Sequence, residues 1–294
     1  MDKGYHIPVL LNECIESLNL KPEGKYIDCT LGEAGHSSKI YSKLSKEGIL
    51  LSIDQDISAI NFVKEKFAKE LSEGNWIIKK GNFEKITQLT NEAGIKSVDG
   101  ILMDLGLSSR QLEEKGRGFS YKNAEESLDM RMDNEMGVTA LDLVKVLNAT
   151  ELEKLFRIYG EERFAKRIAI EIKRNDIQTV GDLTSLIYRV VPATSRREDS
   201  HHPARRVFQA LRIAVNDEIN VLKRGLDSAY ELLNKGGRLV IITFHSLEDR
   251  EVKRFFDDKS EKNNSKIFEV ILPSTSEVEE NNRSRSAKLR VLEK

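Results

Sequence analysis

The chain of 294 residues is 39% hydrophobic and 32% charged, and its formal net charge is −1. This length predicts one large or two modest domains with a substantial buried core. The near-neutral balance excludes a global basic field, so any nucleic-acid site has to be local.

No apolar run of the sequence is long enough to span a membrane, and its polar first residues are unlike a signal peptide. We therefore expect a cytoplasmic protein with no membrane partner. The two cysteines, Cys14 and Cys29, lie in a predicted amphipathic helix and a predicted strand. At such positions a buried thiol is more common than a disulfide or a nucleophile.

The first functional signal is a strand, 25–31, that runs into a turn of small residues and then a helix, 37–44. Gly32, Ala34 and Gly35 would let a ligand approach the backbone where the helix leaves unpaired N–H donors. The turn does not spell the G-x-G-x-x-G pattern of dinucleotide folds, and most turns of small residues bind nothing. A ligand-binding site is indicated only if the ends of other strands also carry suitable side chains.

Three more strands are predicted at 49–53, 76–78 and 100–103, and they are followed by Asp54, Phe83 and Asp104. In an open parallel sheet, ligands lie beyond the carboxyl ends of the strands. An acidic residue about 20 positions after the glycine turn, such as Asp54, accepts both ribose hydroxyls in such folds. Helix capping would explain any one of these side chains, but it explains the whole set poorly.

The alternation of strands and helices stops after residue 105 and resumes with a strand at 237–244. The sequence thus predicts an α/β protein with a doubly wound sheet that carries an insertion. The insertion reads as a long ordered loop, 106–137, followed by helices, the last of them spanning 204–233. Strands near 268–272 and 287–292 complete the predicted sheet.

Six arginines and two acidic residues lie between positions 188 and 212. Arginine suits bidentate phosphate contacts and stacking on bases, so this segment indicates RNA contact; a solvated helix face is the alternative. His201 and His202 lie in the same segment, where RNA contact is more plausible than a metal. His245 follows a strand end, as a helix-start or substrate-contact residue would. The spacing of these histidines matches no zinc pattern, so no metal is predicted.

Eight segments resemble the signatures of the small subunit methyltransferase H family, the bacterial 16S ribosomal RNA N4-cytosine methyltransferases. They are HIPVLL at 6–11, DCTLGEAGH at 28–36, DLGLSSRQL at 104–112, RGFS at 117–120, LDMRMD at 128–133, YGEERFA at 159–165, FQALR at 208–212 and FHSLEDR at 244–250. The resemblance covers nearly the whole chain. Arg110 and Ala34 depart from it, because the family usually has proline and often has glycine there.

The resemblance implies a Rossmann-like class I methyltransferase sheet with an inserted, mainly helical domain. We expect residues 1–107 and 214–294 to form the catalytic domain and residues 108–213 to recognise the substrate. The implied reaction moves a methyl group from S-adenosylmethionine to N4 of a cytidine in the decoding centre of 16S ribosomal RNA. The positions that match the cofactor contacts of the family are Ala34, Gly35, His36, Asp54, Phe83, Asp104 and Gln111.

The residues are consistent with amine chemistry. Methylation at carbon 5 of a pyrimidine needs a cysteine nucleophile after the fourth strand, and neither cysteine is placed there. Attack by an exocyclic amine needs an acceptor for its N–H instead, and Asp104 and Ser108 are the predicted catalytic residues. Phe119, Tyr121 or Phe208 would have to stack on the target base, which would be turned out of its own stack.

The predicted partner is 16S ribosomal RNA within the small ribosomal subunit, and the sequence is compatible with a homodimer without deciding it. The predicted RNA contacts are Arg131, Arg196, Arg197, Arg205, Arg206, Gln209 and His245. A nicotinamide dehydrogenase would share the sheet and Asp54 but should show a full glycine pattern. A non-catalytic RNA-binding factor would have no need for Gly35, Asp54 and Asp104 together.

Overall fold

The computed structural model describes residues 8–198 and 202–294. His6 and Ile7, which open the first of the family-like segments, and His201 of the arginine-rich segment lie outside these residues. The strands are β1 Lys25–Asp28, β2 Ile49–Asp54, β3 Trp76–Lys80, β4 Val98–Asp104, β5 Leu233–Thr243, β6 Lys266–Ile267 and β7 Lys288–Glu293.

Helices connect the strands and build most of the insertion. They are α1 Leu11–Ser17, α2 Gly35–Tyr41, α3 Ile57–Lys66, α4 Ala68–Ser72, α5 Ile86–Glu92, α6 Ser109–Glu113, α7 Ala140–Val146, α8 Ala149–Gly160, α9 Ala165–Arg174, α10 Val180–Val190, α11 Ala193–Glu198, α12 Arg205–Asn216, α13 Glu218–Leu232, α14 Ser246–Asn263 and α15 Thr275–Glu280. Two short 3₁₀ helices lie at Phe83–Lys85 and Asn282–Ser286.

Within the described residues, seven strands form one sheet in the order β3-β2-β1-β4-β5-β7-β6. The first five pair in parallel, and β7 runs antiparallel to β5 and β6. The chain moves outward from β1 to β3 and then returns to place β4 on the other side of β1. Ligands of doubly wound sheets bind beyond the carboxyl ends of the strands at this reversal. The predicted α/β class, with a Rossmann-like sheet and an inserted helical segment, is confirmed.

The central strands are apolar on both faces because helices cover the sheet from both sides. Successive residues of β1 show this, since Tyr26 belongs to the core cluster of one face and Ile27 to that of the other. Neither side chain is exposed to solvent. Hydrophobic burial on both faces therefore fixes the register of β1, and with it the position at which the strand ends.

The described residues divide into two compact units. The first holds the sheet and combines the chain up to Ser108 with Ile219–Lys294. The second is the mainly helical insertion, Ser109–Glu218, in which α8 packs against α9 and α12. Among the described helices, none is both long enough and apolar enough to cross a lipid bilayer.

The single helix expected at 204–233 is wrong, because the chain forms α12 and α13 with Asp217 in the left-handed conformation between them (φ 49°). The Asn216 side chain donates to the Arg212 carbonyl at 2.8 Å in the last turn of α12. A bidentate pair between Arg212 and Glu218, at 2.7 and 2.8 Å, then spans the break. Apolar periodicity continues through the break, so the sequence pattern does not reveal it.

The strand expected at 268–272 is also misplaced. The ladder with β7 lies two residues earlier, at Lys266–Ile267, and beyond it Ile271 makes one isolated bridge to Leu289. The apolar residues Phe268 and Ile271 are half-buried against the core instead of forming a regular strand. Apolar side chains packed at the edge of a sheet thus gave the pattern of a strand without its regular pairing.

Candidate functional site

The turn after β1 is held against the end of β2. Gly32 and Ala34 both have left-handed backbones, with φ of 50° and 65°, and α2 begins at Gly35. The backbone N–H of Gly32 donates to Oδ2 of Asp54 at 2.8 Å. One hydrogen bond thus joins two of the strand ends that the sequence analysis singled out.

Gly35 and His36 are packed against the N-terminal segment of the described chain. A Cβ atom at Gly35 would overlap the side chain of Pro8, so the glycine is required by this close approach. The buried ring of His36 places Nε2 3.1 Å from the carbonyl oxygen of Val9. Because a carbonyl only accepts, Nε2 carries the proton, and Nδ1 lies 3.7 Å from Oδ2 of Asp104.

A buried polar network lies below the turn, and the sequence analysis did not identify it. Oδ2 of Asp28 accepts the hydroxyl of Ser37 at 2.6 Å, and that hydroxyl lies 2.7 Å from the hydroxyl of Ser52. The indole of Trp76 donates to Ser52 at 2.9 Å. Satisfied buried networks of this kind rigidify their surroundings. The feature of the sequence that could have indicated this network is Asp28, because a carboxylate in an apolar strand needs polar partners.

Thr30 connects this network to the end of β4. Its backbone N–H donates to Oδ1 of Asp28 at 3.0 Å, and its hydroxyl accepts the backbone N–H of Asp104 at 2.8 Å. The turn after β1 is therefore fixed to β2 through Asp54 and to β4 through Thr30. These contacts hold the backbones of Gly32, Asp54 and Asp104 at one edge of the sheet.

Asp54 ends β2 and has acceptor capacity left. Its Oδ1 accepts the backbone N–H of Asp56 at 2.9 Å, in addition to the Gly32 bond on Oδ2. Burial raises the pKa of Asp54 to about 6, against the opposite effect of the two N–H donors. A carboxylate has about four lone-pair sites, so each oxygen can accept one more donor. The geometry suits the predicted contact with two ribose hydroxyls.

Asp104 ends β4 and carries an oxygen without a partner. Its Oδ1 has no contact with solvent, and no hydrogen-bond donor of the described residues reaches it, although the side chain as a whole is 27% exposed. Burial, and to a smaller extent the negative charges of Asp28 and Glu248, together raise the pKa of Asp104 to about 8. A buried acceptor without a donor costs about 1–3 kcal/mol, so this position suits a ligand that brings a donor or a positive charge.

Phe83 follows β3, and its ring packs against α13. A Cβ atom at Gly225 of α13 would lie 2.5 Å from Cδ2 of the ring, so only glycine lets the ring lie this close to the helix. The ring is half-buried at the margin of the core. Its remaining exposed area is available for the predicted contact with an adenine.

Ser108 and Gln111 lie on either side of the boundary between the two units. Ser108 is the last residue of the first unit, and its Cβ is 3.8 Å from the position that a Cβ on Gly32 would take. This places it beside the turn after β1. Gln111 lies in α6 of the second unit, where its side chain is buried.

His245 begins α14 as its N-cap residue. Its Nδ1 accepts the backbone N–H of Glu248 at 3.3 Å, and Oε2 of Glu248 accepts the backbone N–H of His245 at 3.3 Å and that of Phe244 at 2.9 Å. The buried Nε2 lies 3.0 Å from Oε1 of Glu248 but is not aligned for a hydrogen bond. This is a capping box with histidine in the place of serine or threonine, and its sequence pattern, a capping residue three positions before glutamate, was available.

Two of the predicted RNA contacts support loops of the second unit. The guanidinium of Arg131 pairs with Asp129 at 2.7 and 2.8 Å and donates to the carbonyl of Met136 at 2.6 Å. The amide of Gln209 donates to the carbonyl of Tyr159 at 3.1 Å. Both side chains therefore already form intramolecular hydrogen bonds. If they also contact RNA, they must do so while keeping or exchanging these bonds.

The remaining basic candidates lie on or near the surface of the second unit. Arg197 is exposed, whereas Arg196, Arg205 and Arg206 are half-buried. The guanidinium of Arg196 lies over the ring of Tyr188, with Cζ 3.7 Å from the ring centroid. Tyr188 was not singled out from the sequence, because a tyrosine on the outer face of a helix has no spacing signature of its own.

Of the three aromatic residues considered for base stacking, two are buried and one is partly exposed. Phe119 is 6% exposed and Phe208 is 4% exposed, so both belong to the core of the second unit. Tyr121 is half-buried; its ring stacks on that of His202 at 4.5 Å and meets the edge of Phe208 at 6.0 Å. Tyr121 is therefore the candidate with ring area still accessible.

Comparison with known proteins agrees with this fold. The chain matches the model of the MraW methylase family over residues 3–294. It is 45% identical to the ribosomal RNA small subunit methyltransferase H of Brevibacillus brevis, and the match covers 99% of this chain and 98% of that protein. The solved structure of the protein PH0851 matches 99% of this chain and 47% of its own, with a TM-score of 0.50 and 12% identity.

An rRNA methylase from Streptococcus thermophilus matches 96% of this chain and 92% of its own, with a TM-score of 0.46 and 10% identity. At such low identity the likeness to PH0851 concerns the fold alone. The match to the family model and the curated relative both extend over nearly the full length. The chain belongs to the MraW methylase family.

Proposed function

We propose that this protein transfers a methyl group from S-adenosylmethionine to the exocyclic N4 of a cytidine in the P site of the decoding centre of 16S ribosomal RNA. Membership of a methylase family and 45% identity to a small subunit methyltransferase support the general reaction. The observation that carries the choice of an amine is the unpartnered carboxylate oxygen of Asp104 at the end of β4.

The strand ends fit S-adenosylmethionine. Asp54 would accept the ribose hydroxyls with its remaining lone pairs, and the exposed area of Phe83 would cover the adenine. Asp104 would bring a negative charge close to the positively charged part of the molecule. When bound, this cofactor supplies a methyl group on a sulfonium, which an uncharged nitrogen can attack once it is held in line.

Asp104 would act on the amine of the cytidine. The part-exposed carboxylate would accept an N4–H hydrogen bond, which makes the nitrogen lone pair less committed to the ring, and would hold the proton that the amine loses after methylation. These roles require the ionised carboxylate, so the proton that Asp104 carries in the free protein would leave when the cationic cofactor binds; a raised pKa, about 8 in the free protein, also makes this carboxylate a stronger base than an ordinary one. His36 presents Nδ1 3.7 Å from Oδ2 of Asp104. Ser108, beside the turn, would provide a second polar contact for the base.

The cysteines support exocyclic chemistry over attack at carbon 5. Cys14 and Cys29 are both buried, and burial raises the pKa of each thiol well above its ordinary value. A thiol held protonated in the core is a poor nucleophile. A covalent route through cysteine therefore has no candidate residue in this chain.

Nucleoside analysis tests the proposal. The protein would be incubated with labelled S-adenosylmethionine and small ribosomal subunits that lack the modification, and the 16S RNA would then be digested and analysed by mass spectrometry. We expect one N4-methylcytidine per subunit, and almost none with the Asp104→Asn variant. Label on carbon 5, label on another nucleoside, or no label from the folded protein would refute the assignment.

The substrate's context is part of the proposal. We infer that the partner is the small ribosomal subunit in the cytoplasm, since the target cytidine belongs to an assembled decoding centre. Parallel reactions with free 16S RNA and with subunits would decide this, because only the subunits should be methylated efficiently. A homodimer stays a prediction that sedimentation of the purified protein can test.

A further inference from the structure

The pair formed by Tyr188 and Arg196 is an ordered stack on the surface of the second unit. Tyr188 lies in the last turn of α10, one residue after the buried Ile187, and is therefore directed to the outer face of the helix. The Arg196 guanidinium covers one side of the ring at 3.7 Å, and its Nη1 donates to the backbone carbonyl of Tyr188 at 3.0 Å. The arginine is thus held by its ring contact and by a hydrogen bond.

Tyr188 stays accessible beside this contact. The residue is 55% exposed although the guanidinium covers one face of its ring, which leaves ring area for a further contact. A cation–π contact at an exposed site stabilises the fold by itself only weakly. It does, however, fix the ring in one orientation, which lowers the entropic cost of stacking another planar group on it.

The charge around this ring favours one kind of planar group. Arg189 and Arg197 flank the pair in sequence, and both side chains are exposed. A protein partner would have to bring acidic groups to this face, whereas a nucleic acid brings a phosphate with every base. Unpaired bases are recognised in RNA by stacking on aromatic rings and on arginine planes.

We propose that Tyr188, backed by Arg196, is a stacking platform for an unpaired nucleobase of the RNA substrate, and that the neighbouring arginines contact the adjoining phosphates. This inference rests on the proposed function, because it takes RNA as the substrate. It adds a contact point in the second unit that is separate from the target cytidine. The platform should prefer single-stranded RNA, because the bases of a duplex are already stacked on one another and cannot stack on the ring.

A tryptophan reporter makes the stack visible. The chain has one tryptophan, Trp76, which is 3% exposed, so Tyr188→Trp would add a single surface fluorophore. We expect an unstructured twelve-nucleotide RNA to quench its fluorescence, and a duplex of the same length and concentration to leave it unchanged. Equal quenching by both, or none by either, would overturn the platform.

The affinity of variants for single-stranded RNA distinguishes the contribution of base stacking from that of charge. Stacking of one base predicts about tenfold weaker binding of the single strand by Tyr188→Ala, with an unchanged dependence on salt, and near-normal binding by Tyr188→Phe. Arg196→Lys should keep the salt dependence but lose affinity, since lysine has no plane to hold the ring. The matched control is Ile158→Ala, a change at another exposed apolar side chain of the same unit (59%).

The outcomes distinguish this inference from the proposed function. If Tyr188→Ala binds the single strand as tightly as Ile158→Ala does, while the wild type still methylates 16S RNA, the platform is wrong and the function stands. A wild type that neither binds RNA nor methylates it would reject both. Thermal unfolding and cofactor affinity, measured for each variant, show whether a loss comes from misfolding. If Tyr188→Ala does not fold, the quenching of the Tyr188→Trp variant by single-stranded RNA remains the test of the platform.

Discussion

Glu277 accepts the backbone N–H of Leu10 at 2.7 Å, which links α15 to the N-terminal segment across 267 residues of sequence. Leu10 itself has a left-handed backbone (φ 52°), a conformation that a leucine adopts only when its surroundings hold it there. Two residues earlier, Pro8 packs on Gly35, and the carbonyl oxygen of Val9 accepts a hydrogen bond from Nε2 of His36. Glu277 therefore helps to position His36 of the candidate site indirectly, because it holds the segment whose Val9 carbonyl contacts the His36 ring.

Removing that carboxylate should affect both stability and cofactor binding. Glu277→Ala leaves the N–H of Leu10 without its partner, and we expect a loss of about 1–3 kcal/mol in the free energy of unfolding. S-adenosylmethionine should bind more weakly, because the carbonyl that orients His36 is no longer fixed. Denaturant unfolding and calorimetry measure the two effects. Glu279→Ala, an exposed change in the same helix, is the control and should alter neither.

Asp54 is the sharpest test of the cofactor site. If Asp54 accepts the two ribose hydroxyls as proposed, Asp54→Ala should cost ~1.5–3 kcal/mol of binding, or about tenfold to a hundredfold in Kd. Asp54→Asn should retain part of the affinity, since the amide keeps one acceptor. Calorimetric titration with S-adenosylmethionine gives the numbers, with Glu92→Gln as an exposed control. Wild-type affinity in a folded Asp54→Ala protein would remove Asp54 from the site.

Asp104 predicts a pH dependence of cofactor binding. The pKa of Asp104 is raised to about 8 by burial and by Asp28 and Glu248, so the free protein carries a proton there at pH 7. If the cationic cofactor binds the ionised form, that proton must leave first. Affinity should therefore increase as pH rises from 6 toward about 8 and level off above it.

Calorimetry in buffers of different ionisation enthalpy should detect proton release on binding near pH 7. Asp104→Asn has no proton to lose, so its weaker binding should be independent of pH over the same range. A wild-type affinity that is flat between pH 6 and 9 would show that Asp104 is ionised before binding, or that it does not face the cofactor's charge.

The basic surface of the second unit predicts a salt dependence. Changing Arg197, Arg205 and Arg206 together to glutamine should reduce the slope of log K against log salt by about 0.7 for each phosphate of a single strand that the variant no longer neutralises. Cofactor affinity should not change. Arg174→Gln, at an exposed arginine (69%) of the same unit, is the control. An unchanged slope in the triple variant would identify this cluster as a solvated surface.

The sequence predicted the features that depend on local pattern. Asp54 and Asp104 were expected at strand ends, and β2 and β4 end at these residues. Both follow from the length of an apolar run and the polar residue that closes it. The break at Asp217 was missed, because the apolar spacing of α12 continues through the turn into α13.

Long-range contacts could not be predicted in this way. The hydroxyl of Ser37 bonds to Asp28 and to the hydroxyl of Ser52 only because two strands and a helix bring these residues together. The bond between Glu277 and Leu10 likewise has no signature in either segment. In both cases the residues are ordinary for their local structure, and their role arises from packing between elements distant in sequence.

The order of the strands also has a consequence for the newly made chain. β4 is complete at Asp104, but its outer edge stays unpaired until β5 follows the whole insertion, and the outer edge of β5 then waits for β7 at Lys288–Glu293. Unpaired strand edges invite association with other chains. A polypeptide interrupted before Lys288 would therefore leave the edge of the apolar strand β5 unpaired, and we expect it to associate with other chains more readily than the full chain does.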